Sequence, residues 1–301
     1  MTDTPRGDAP QQVVVIGAGA MGSQIGMACA LAGYQVNVQD VSADSLTRAE
    51  STLRGLMERR VEKGRITAEE VADAFARLSF TTELDAVATE ADLVIEAAVE
   101  NLPVKQEIFR RLDALCPERT ILASNSSSFV PSRIAEATQR PDRVINIHFF
   151  NPALVMKCVE VVRGPQTSAE TLAAAVALVE TLDKVPVVMQ KEINGFIANR
   201  ILDAIRTEAV FLLEGGYASI TDIDVACRTA LGHPKGPFEL QDMTGLDIGY
   251  ASKQGRFEES GDPAEAPSRS LSERVAAGHL GRKTGQGWYR YDTHGNLIGE
   301  A

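Results

Sequence analysis

Residues 13 to 33 read VVVIGAGAMGSQIGMACALAG. Val13, Val14, Val15 and Ile16 form an unbroken β-branched run, as expected of a strand covered on both faces in a parallel sheet. The run passes straight into Gly17-Ala18-Gly19-Ala20-Met21-Gly22, which has the spacing G-x-G-x-x-G. Each glycine has its own task in such a turn: the first makes the sharp strand-to-helix bend, the second lets the backbone approach a pyrophosphate, and the third lets the helix pack closely on the strand. Apolar or small residues at Ile25, Ala28, Cys29, Leu31 and Ala32 continue as a helix, and Gly33 is placed to end it.

A glycine-rich turn by itself can serve packing alone. Here a second strand, 35–39, follows the helix and ends in Asp40. An acid at this spacing accepts hydrogen bonds from both ribose hydroxyls of an adenosine and repels a 2′-phosphate. Strand, loop, helix, strand and acid together therefore point to NAD over NADP. They identify a cofactor and no reaction.

Composition narrows the class. The chain has 301 residues, 44% hydrophobic and 24% charged, enough for a sizeable core and two domains. Its net charge of −11 argues against nucleic acid or an anionic membrane as partner, because both attract a positive surface. Cys29, Cys116, Cys158 and Cys227 lie far apart without a C-x-x-C pair, and read as reduced, buried thiols of a cytoplasmic protein with no metal site. Residues 1–11 lack the apolar core of a signal peptide and are expected to be flexible. No apolar run approaches the length of a membrane span.

From 41 to about 76 the sequence reads as charged helix, apolar at Leu46, Leu53, Leu56 and Val61 and basic at Arg48, Arg54, Arg59, Arg60, Lys63 and Arg65. The basic side is expected to be a solvated face paired with Glu50, Glu58 and Glu62. Further strands are expected at 78–81, 93–96, 120–123, 144–147, 159–162 and 185–189, with helical stretches between most of them. Over residues 12–192 this alternation means an α/β domain with a doubly wound, mostly parallel, Rossmann-type sheet. From 193 to 301 the pattern is mainly α-helical. Phe196, Ile197, Ile201, Ile205, Ala209, Leu212 and Leu213 recur at helical spacing over 195–213, where the apolar face is core or a dimer interface. Thr221 with Asp224 resembles a capping box, Gly232 closes that helix, Pro237 suits the first turn of the next, and another helix lies near 270–277.

The candidate chemistry lies at strand ends. Ser124-Asn125-Ser126-Ser127-Ser128 follows a strand, where open α/β sheets bind ligands, although serines here, Ser132 included, also suit helix capping. Of four histidines only His148 stands at the carboxyl end of a sheet strand. Glu160 is placed so that a neighbouring strand could bring its carboxylate to the imidazole, fixing the tautomer and making His148 a general base for a hydroxyl. Hydride transfer from a secondary alcohol also needs donors for the developing carbonyl oxygen. Ser127 and Asn199 have that chemistry, and spacing alone selects neither.

Several separate motifs carry a resemblance to the 3-hydroxyacyl-CoA dehydrogenase family, in particular its short single-function members such as the bacterial 3-hydroxybutyryl-CoA dehydrogenases. They are GAGAMGSQIG (17–26), IEAAVENLPVK (95–105), ASNSSS (123–128), HFFNP (148–152), KCVEVV (157–162), NGFIANRI (194–201), GHPKGPFELQD (232–242) with GLD (245–247), and LGRKTGQGWY (280–289). The resemblance implies NAD-dependent, reversible oxidation of an L-3-hydroxyacyl-CoA to the 3-ketoacyl-CoA in fatty acid metabolism. It implies that His148 is the base, Glu160 its orienting partner, Ser127 a contact to substrate and cofactor, and Asn199 a holder of the reacting oxygen. It further implies that Gly17, Gly19, Ala20, Met21, Gly22 and Asp40 bind the cofactor, that Glu100, Lys105 and Asn151 lie along its nicotinamide half, and that Lys283 touches it from the C-terminal tail. The helical domain would form a homodimer and meet the acyl-CoA substrate.

The sequence departs from the family pattern at three places. Asn194 stands where most members have proline, Lys235 where methionine is usual, and Trp288 where phenylalanine is usual. A dehydrogenase of free 3-hydroxy acids or sugar acids, as in the gulonate dehydrogenase relatives, is the alternative within the fold. A non-catalytic NAD-binding protein is disfavoured by the imidazole and carboxylate at the nicotinamide end.

Overall fold

In the computed structural model, which describes residues 11–301, the first strand is β1 (Gln12–Ile16). Residues 1–10 of the segment expected to be flexible lie outside the described residues. Gln11 is described, and its N–H donates to Asp92 at 2.9 Å. After β1 come α1 (Ala20–Leu31), β2 (Gln35–Gln39), α2 (Ala43–Glu62), α3 (Ala68–Ala76), β3 (Leu78–Thr81), α4 (Leu84–Ala88), β4 (Leu93–Glu96), α5 (Leu102–Leu115), β5 (Ile121–Ser124), α6 (Pro131–Ala135), β6 (Val144–Phe149), β7 (Cys158–Arg163), α7 (Ala169–Thr181) and β8 (Val185–Met189). The eight strands form one sheet in the order β3-β2-β1-β4-β5-β6-β7-β8. β1 to β6 are parallel, as the doubly wound reading requires, and β7 runs antiparallel to β6. The reason is the connection: residues 150–157 hold no helix to carry the chain across the sheet, so the strand folds straight back.

The unbroken apolar run of β1 follows from covering both faces. Val13 and Val15 pack with Ile25, Leu53, Met57 and Ala74 from α1, α2 and α3. Val14 and Ile16 pack with Leu84, Phe109, Leu112 and Ile134 from α4, α5 and α6. Alternate side chains of one strand thus feed two cores.

The stretch read as helical over 41–76 holds two helices, α2 and α3. The first ends at Glu62 with Lys63 as its C-cap and Gly64 at φ +62 just beyond, and Thr67 opens α3 through a capping box: its hydroxyl accepts the Glu70 N–H at 3.1 Å while Glu70 accepts the Thr67 N–H at 2.8 Å. That Thr-x-x-Glu signal was legible and outweighs the apolar periodicity. The basic face is largely exposed, and Arg54 pairs with Glu50 as expected.

The chain divides into two compact units, with the second spanning Ala198–Ala301. The break falls a few residues later than the 192/193 boundary read from sequence, because residues 190–197 are fastened to the first unit. Glu192 accepts the Ser132 N–H at 3.0 Å, Phe196 is buried with Val162 and Met189, and the Ile197 N–H reaches Glu160. Ser132 therefore uses its backbone N–H here, and the residue before α6 is Val130, with no side-chain cap.

The second unit contains α8 (Ala198–Glu214), α9 (Ile220–Ala230), α10 (Pro237–Thr244), α11 (Leu246–Ser260), α12 (Arg269–Ala276) and a hairpin of β9 (Tyr289–Tyr291) with β10 (Leu297–Glu300). The helix expected from 195 begins only at Ala198. Gly195 and Phe196 have φ +78 and +51, outside helical space. The core gathers Ala209, Val210, Ile223, Phe238, Leu271 and Trp288. Trp288 lies edge-on to Phe238 at 4.8 Å, so the larger ring is absorbed by packing. Lys235 is exposed.

The capping box expected at Thr221 and Asp224 is displaced by two residues: Ser219 caps α9 by accepting the Asp222 N–H at 3.1 Å. Asp224 is instead buried, accepting the N–H groups of Phe238 and Glu239 and the Tyr289 hydroxyl. Asp242 does the same for the N–H groups of Trp288 and Tyr289 and the Tyr291 hydroxyl. Two buried carboxylates thus tie the hairpin to α9 and α10. Burial pushes both carboxyls above their ordinary range, against the hydrogen bonds they accept.

Asp242→Asn leaves one of three buried donors unpaired, a cost of about 1–3 kcal/mol. A group raised in the folded state contributes stability that is complete below its unfolded value, about 4, and is lost as pH rises through the folded value. The melting-temperature gap between wild type and Asp242→Asn is therefore expected to be widest near about pH 4 and to narrow toward neutrality. A gap that widens with pH would refute the assignment.

Candidate active site

A cleft of about 840 Å³ opens at the carboxyl ends of β1, β2 and β4, lined among others by Gly17, Gly19, Ala20, Asp40, Ala97 and Val99. Gly17, at φ +100, makes the bend, and a Cβ there would lie 2.7 Å from the Ala97 carbonyl oxygen. A Cβ on Gly19 would meet nothing within 4 Å, so its α-carbon faces open space. Gly19 also precedes α1, whose first turn carries no acid. The amide N–H groups and positive dipole end of that turn suit a pyrophosphate, and the bare α-carbon lets it come close. The loop therefore fits a dinucleotide. Met21 and Gly22 do not line the cleft: Met21 packs on the core and Gly22 against the Gly17 backbone.

Asp40 follows β2 and has both oxygens at work. Oδ2 accepts the Ala18 N–H at 2.8 Å and Oδ1 the Ser42 N–H at 2.9 Å. The acid therefore also clamps the glycine loop to the end of the second strand.

The serine cluster is held by a network centred on Glu100. Glu100 Oε1 accepts the Ser126 hydroxyl at 2.7 Å and the Ser127 and Ser128 N–H groups at 3.2 and 3.0 Å. Lys105 is 1% exposed and enclosed by carboxylates, Glu96 at 2.8 Å and Glu100 at 3.2 Å. Burial would raise the Glu100 carboxyl, but the Lys105 ammonium and the serine hydrogen bonds bring it below the usual range. Lys105 thus acts inside the protein, through Glu100. Glu96 was missed: at the end of apolar β4 it is fully buried and accepts from Lys105, the Ser124 hydroxyl and the Ala98 N–H. An acid closing an otherwise apolar strand was the available signal. Asn125 accepts the Phe149 N–H at 2.8 Å, and Asn146 donates to the Ser126 and Phe129 carbonyls, so the loop is also tied to β6.

The antiparallel register sets His148 directly opposite Glu160. Nδ1 lies 2.8 Å from Oε2, with the imidazole 5% exposed and the carboxylate fully buried. A carboxylate only accepts, so in the neutral imidazole the hydrogen sits on Nδ1 and Nε2 carries the lone pair. Phe150 and Phe196 flank the imidazole at 4.6 and 5.5 Å between ring centroids. Asn151 is exposed in the turn after β6, which is pinned by Lys184 donating to the Ala153 and Met156 carbonyls at 2.6 and 2.8 Å.

The structure thus brings together in the first unit His148 with Glu160, and Ser127 with Glu100 and Lys105. Asn199 and Lys283 belong to the second unit, Asn199 half-buried in the first turn of α8 and Lys283 paired with Asp247 at 2.6 Å. Among the described residues no group of three His, Cys, Asp or Glu could hold a metal, and no helix is long and apolar enough to cross a membrane. The four cysteines are free thiols, and burial pushes Cys29 up to about 12, which leaves it unreactive.

Residues 12–193 match the model of the 3-hydroxyacyl-CoA dehydrogenase NAD binding domain, and residues 195–291 that of the C-terminal domain. The chain is 40% identical to a probable 3-hydroxybutyryl-CoA dehydrogenase of Bacillus subtilis, over 94% of this chain and 98% of the relative. It is 42% identical to the mitochondrial hydroxyacyl-coenzyme A dehydrogenase of Sus scrofa, over 93% and 91%. The crystal structure of (S)-3-hydroxybutyryl-CoA dehydrogenase from Ralstonia eutropha superposes with a TM-score of 0.89 at 40% identity, covering 95% of this chain and all of the other. With both domains matched in order around a dinucleotide loop and a buried histidine–carboxylate pair, the chain belongs to the 3-hydroxyacyl-CoA dehydrogenase family.

Proposed function

We propose that the protein oxidises an L-3-hydroxyacyl-CoA to the 3-ketoacyl-CoA, reversibly, with His148 as the base. The observation that carries this reading is the buried 2.8 Å pair of His148 Nδ1 and Glu160 Oε2. It leaves Nε2 able to take the proton of the 3-hydroxyl and stabilises the imidazolium that results. Bound NAD⁺ supplies the hydride acceptor. Gly17, Gly19, Ala20 and Asp40 hold its adenosine and pyrophosphate portions. Glu100, itself held by Lys105, orders the loop of Ser127, whose hydroxyl meets substrate and cofactor. Asn151 and Lys283 add cofactor contacts, and Asn199 donates to the reacting oxygen. In reduction the same proton returns from His148 to the new alkoxide.

Purified protein given acetoacetyl-CoA and NADH is expected to consume NADH far faster than with free acetoacetate, and far faster than it forms NADH from gulonate and NAD⁺. Turnover confined to the free acids would replace the thioester reading with the alternative.

The second unit supports a homodimer. Its helices expose Ile201, Phe211 and Ile248 at 57, 58 and 61%, apolar side chains that a second copy of the chain would cover. Light scattering on the wild type is expected to give twice the chain mass. Phe211→Glu is expected to shift it toward one, and a monomeric wild type would end this assignment.

A further inference from the structure

Phe196 has a backbone conformation that bulky residues rarely adopt, φ +51, directly after Gly195 at φ +78. Such a conformation persists only where the surroundings over-determine it. Here they do: the ring is 1% exposed, packed on Val162 and Met189 with Val130 against it. Four residues before Phe196 the same segment is fastened again, where Glu192 accepts the Ser132 N–H.

The turn has a second consequence at the site. It aims the Ile197 N–H at Glu160 Oε1, 3.0 Å away. The other oxygen of that carboxylate, Oε2, is the one paired with His148. The terminal torsion of a glutamate is broad and loosely held by its own rotamer preferences. Donors on both oxygens, one from β6 and one from the turn, remove that freedom. The Phe196 ring also borders the imidazole itself, at 5.5 Å between centroids.

We propose that the turn Gly195-Phe196-Ile197 is a positioning element for the His148–Glu160 pair. The buried ring anchors the turn, the Ile197 amide fixes the plane of the carboxylate, and the carboxylate in turn fixes the tautomer and direction of His148. The inference rests on His148 being the base of the reaction, and it gives the strained residue a task that packing alone would not require. Its role is to act through Glu160, so its effect belongs in kcat and not in cofactor binding.

The test is a double-mutant cycle in the full-length protein with Gly195→Ala, Glu160→Gln and the two together. An added Cβ at φ +78 strains the turn. Gly195→Ala is expected to lower kcat by roughly 10- to 100-fold, the scale of a misplaced catalytic group, with NADH affinity unchanged. In the Glu160→Gln background it is expected to add nothing, because the group it positions is already gone. Phe196→Leu keeps the apolar bulk but shortens the anchor, and is expected to show the same pattern, which covers the case of Gly195→Ala failing to fold. Undiminished kcat in either turn variant, a loss that multiplies with Glu160→Gln, or parallel losses in kcat and NADH affinity would each overturn the proposal. The two readings separate cleanly. If His148→Gln retains wild-type turnover, the base assignment and the turn fall together. If His148→Gln is crippled and the turn variants are not, only the turn falls.

Discussion

His148→Gln is expected to lower kcat by about 10²- to 10⁴-fold, the usual contribution of a positioned general base. Glutamine has nearly the reach of histidine and its amide can still donate to Glu160, so the buried carboxylate keeps a partner. What it cannot do is accept and hold the proton of the 3-hydroxyl. The cofactor loop lies at the ends of β1 and β2 and makes no use of the imidazole, so the dissociation constant of NADH should stay within experimental error of the wild type. A matched loss in turnover and NADH affinity would mean that the substitution has disturbed the unit as a whole, and would remove the role assigned to His148.

The second large effect is expected at the glycine loop, where two neighbouring glycines should fail in different ways. At Gly22 a Cβ would lie 1.9 Å from the Gly17 carbonyl oxygen and 3.0 Å from its carbon, with no flexible side chain to yield. Gly22→Ala must push α1 away from β1, a strain on the order of 1–3 kcal/mol, and it moves the Gly17 bend as it does so. Both the melting temperature and NAD binding should fall. At Gly19 the same methyl meets no protein atom within 4 Å, so Gly19→Ala should melt like the wild type. Its methyl nevertheless projects where a pyrophosphate has to approach, and a tenfold loss of NAD affinity corresponds to about 1.4 kcal/mol. Calorimetry and NADH fluorescence titration of the two variants measure both effects. If Gly19→Ala bound NADH as tightly as the wild type, the cofactor would not be using this loop as described.

How legible the protein is from its sequence depends on the range of the interaction. The β1 run, the glycine spacing and Asp40 are local signals, and they specify the doubly wound sheet and its nucleotide edge because each is enforced by neighbours within one strand–turn–helix unit. The capping of α9 shows the limit even at short range. Thr221 with Asp224 and Ser219 with Asp222 are equally good pairs by spacing, and the choice falls to Ser219 because Asp224 is claimed by Phe238, Glu239 and Tyr289. Those partners lie well along the chain, and no window around α9 contains them.

The site divides in the same way. The residue types of His148 and Glu160, their places near strand ends and the apolar surroundings of each are in the sequence, and so is the pattern of motifs that marks the family. That they face each other is a matter of the β6–β7 register, which a shift of one residue would have turned to opposite faces of the sheet. Glu96 as the buried partner of Lys105, Glu100 as the acceptor for three serines, and Phe196 and Ile197 as the brace of Glu160 were settled only by tertiary structure. The physical reason is that a charge or donor becomes informative when water is removed from around it, and which groups lose their water is a property of the packed fold and not of any local stretch of chain.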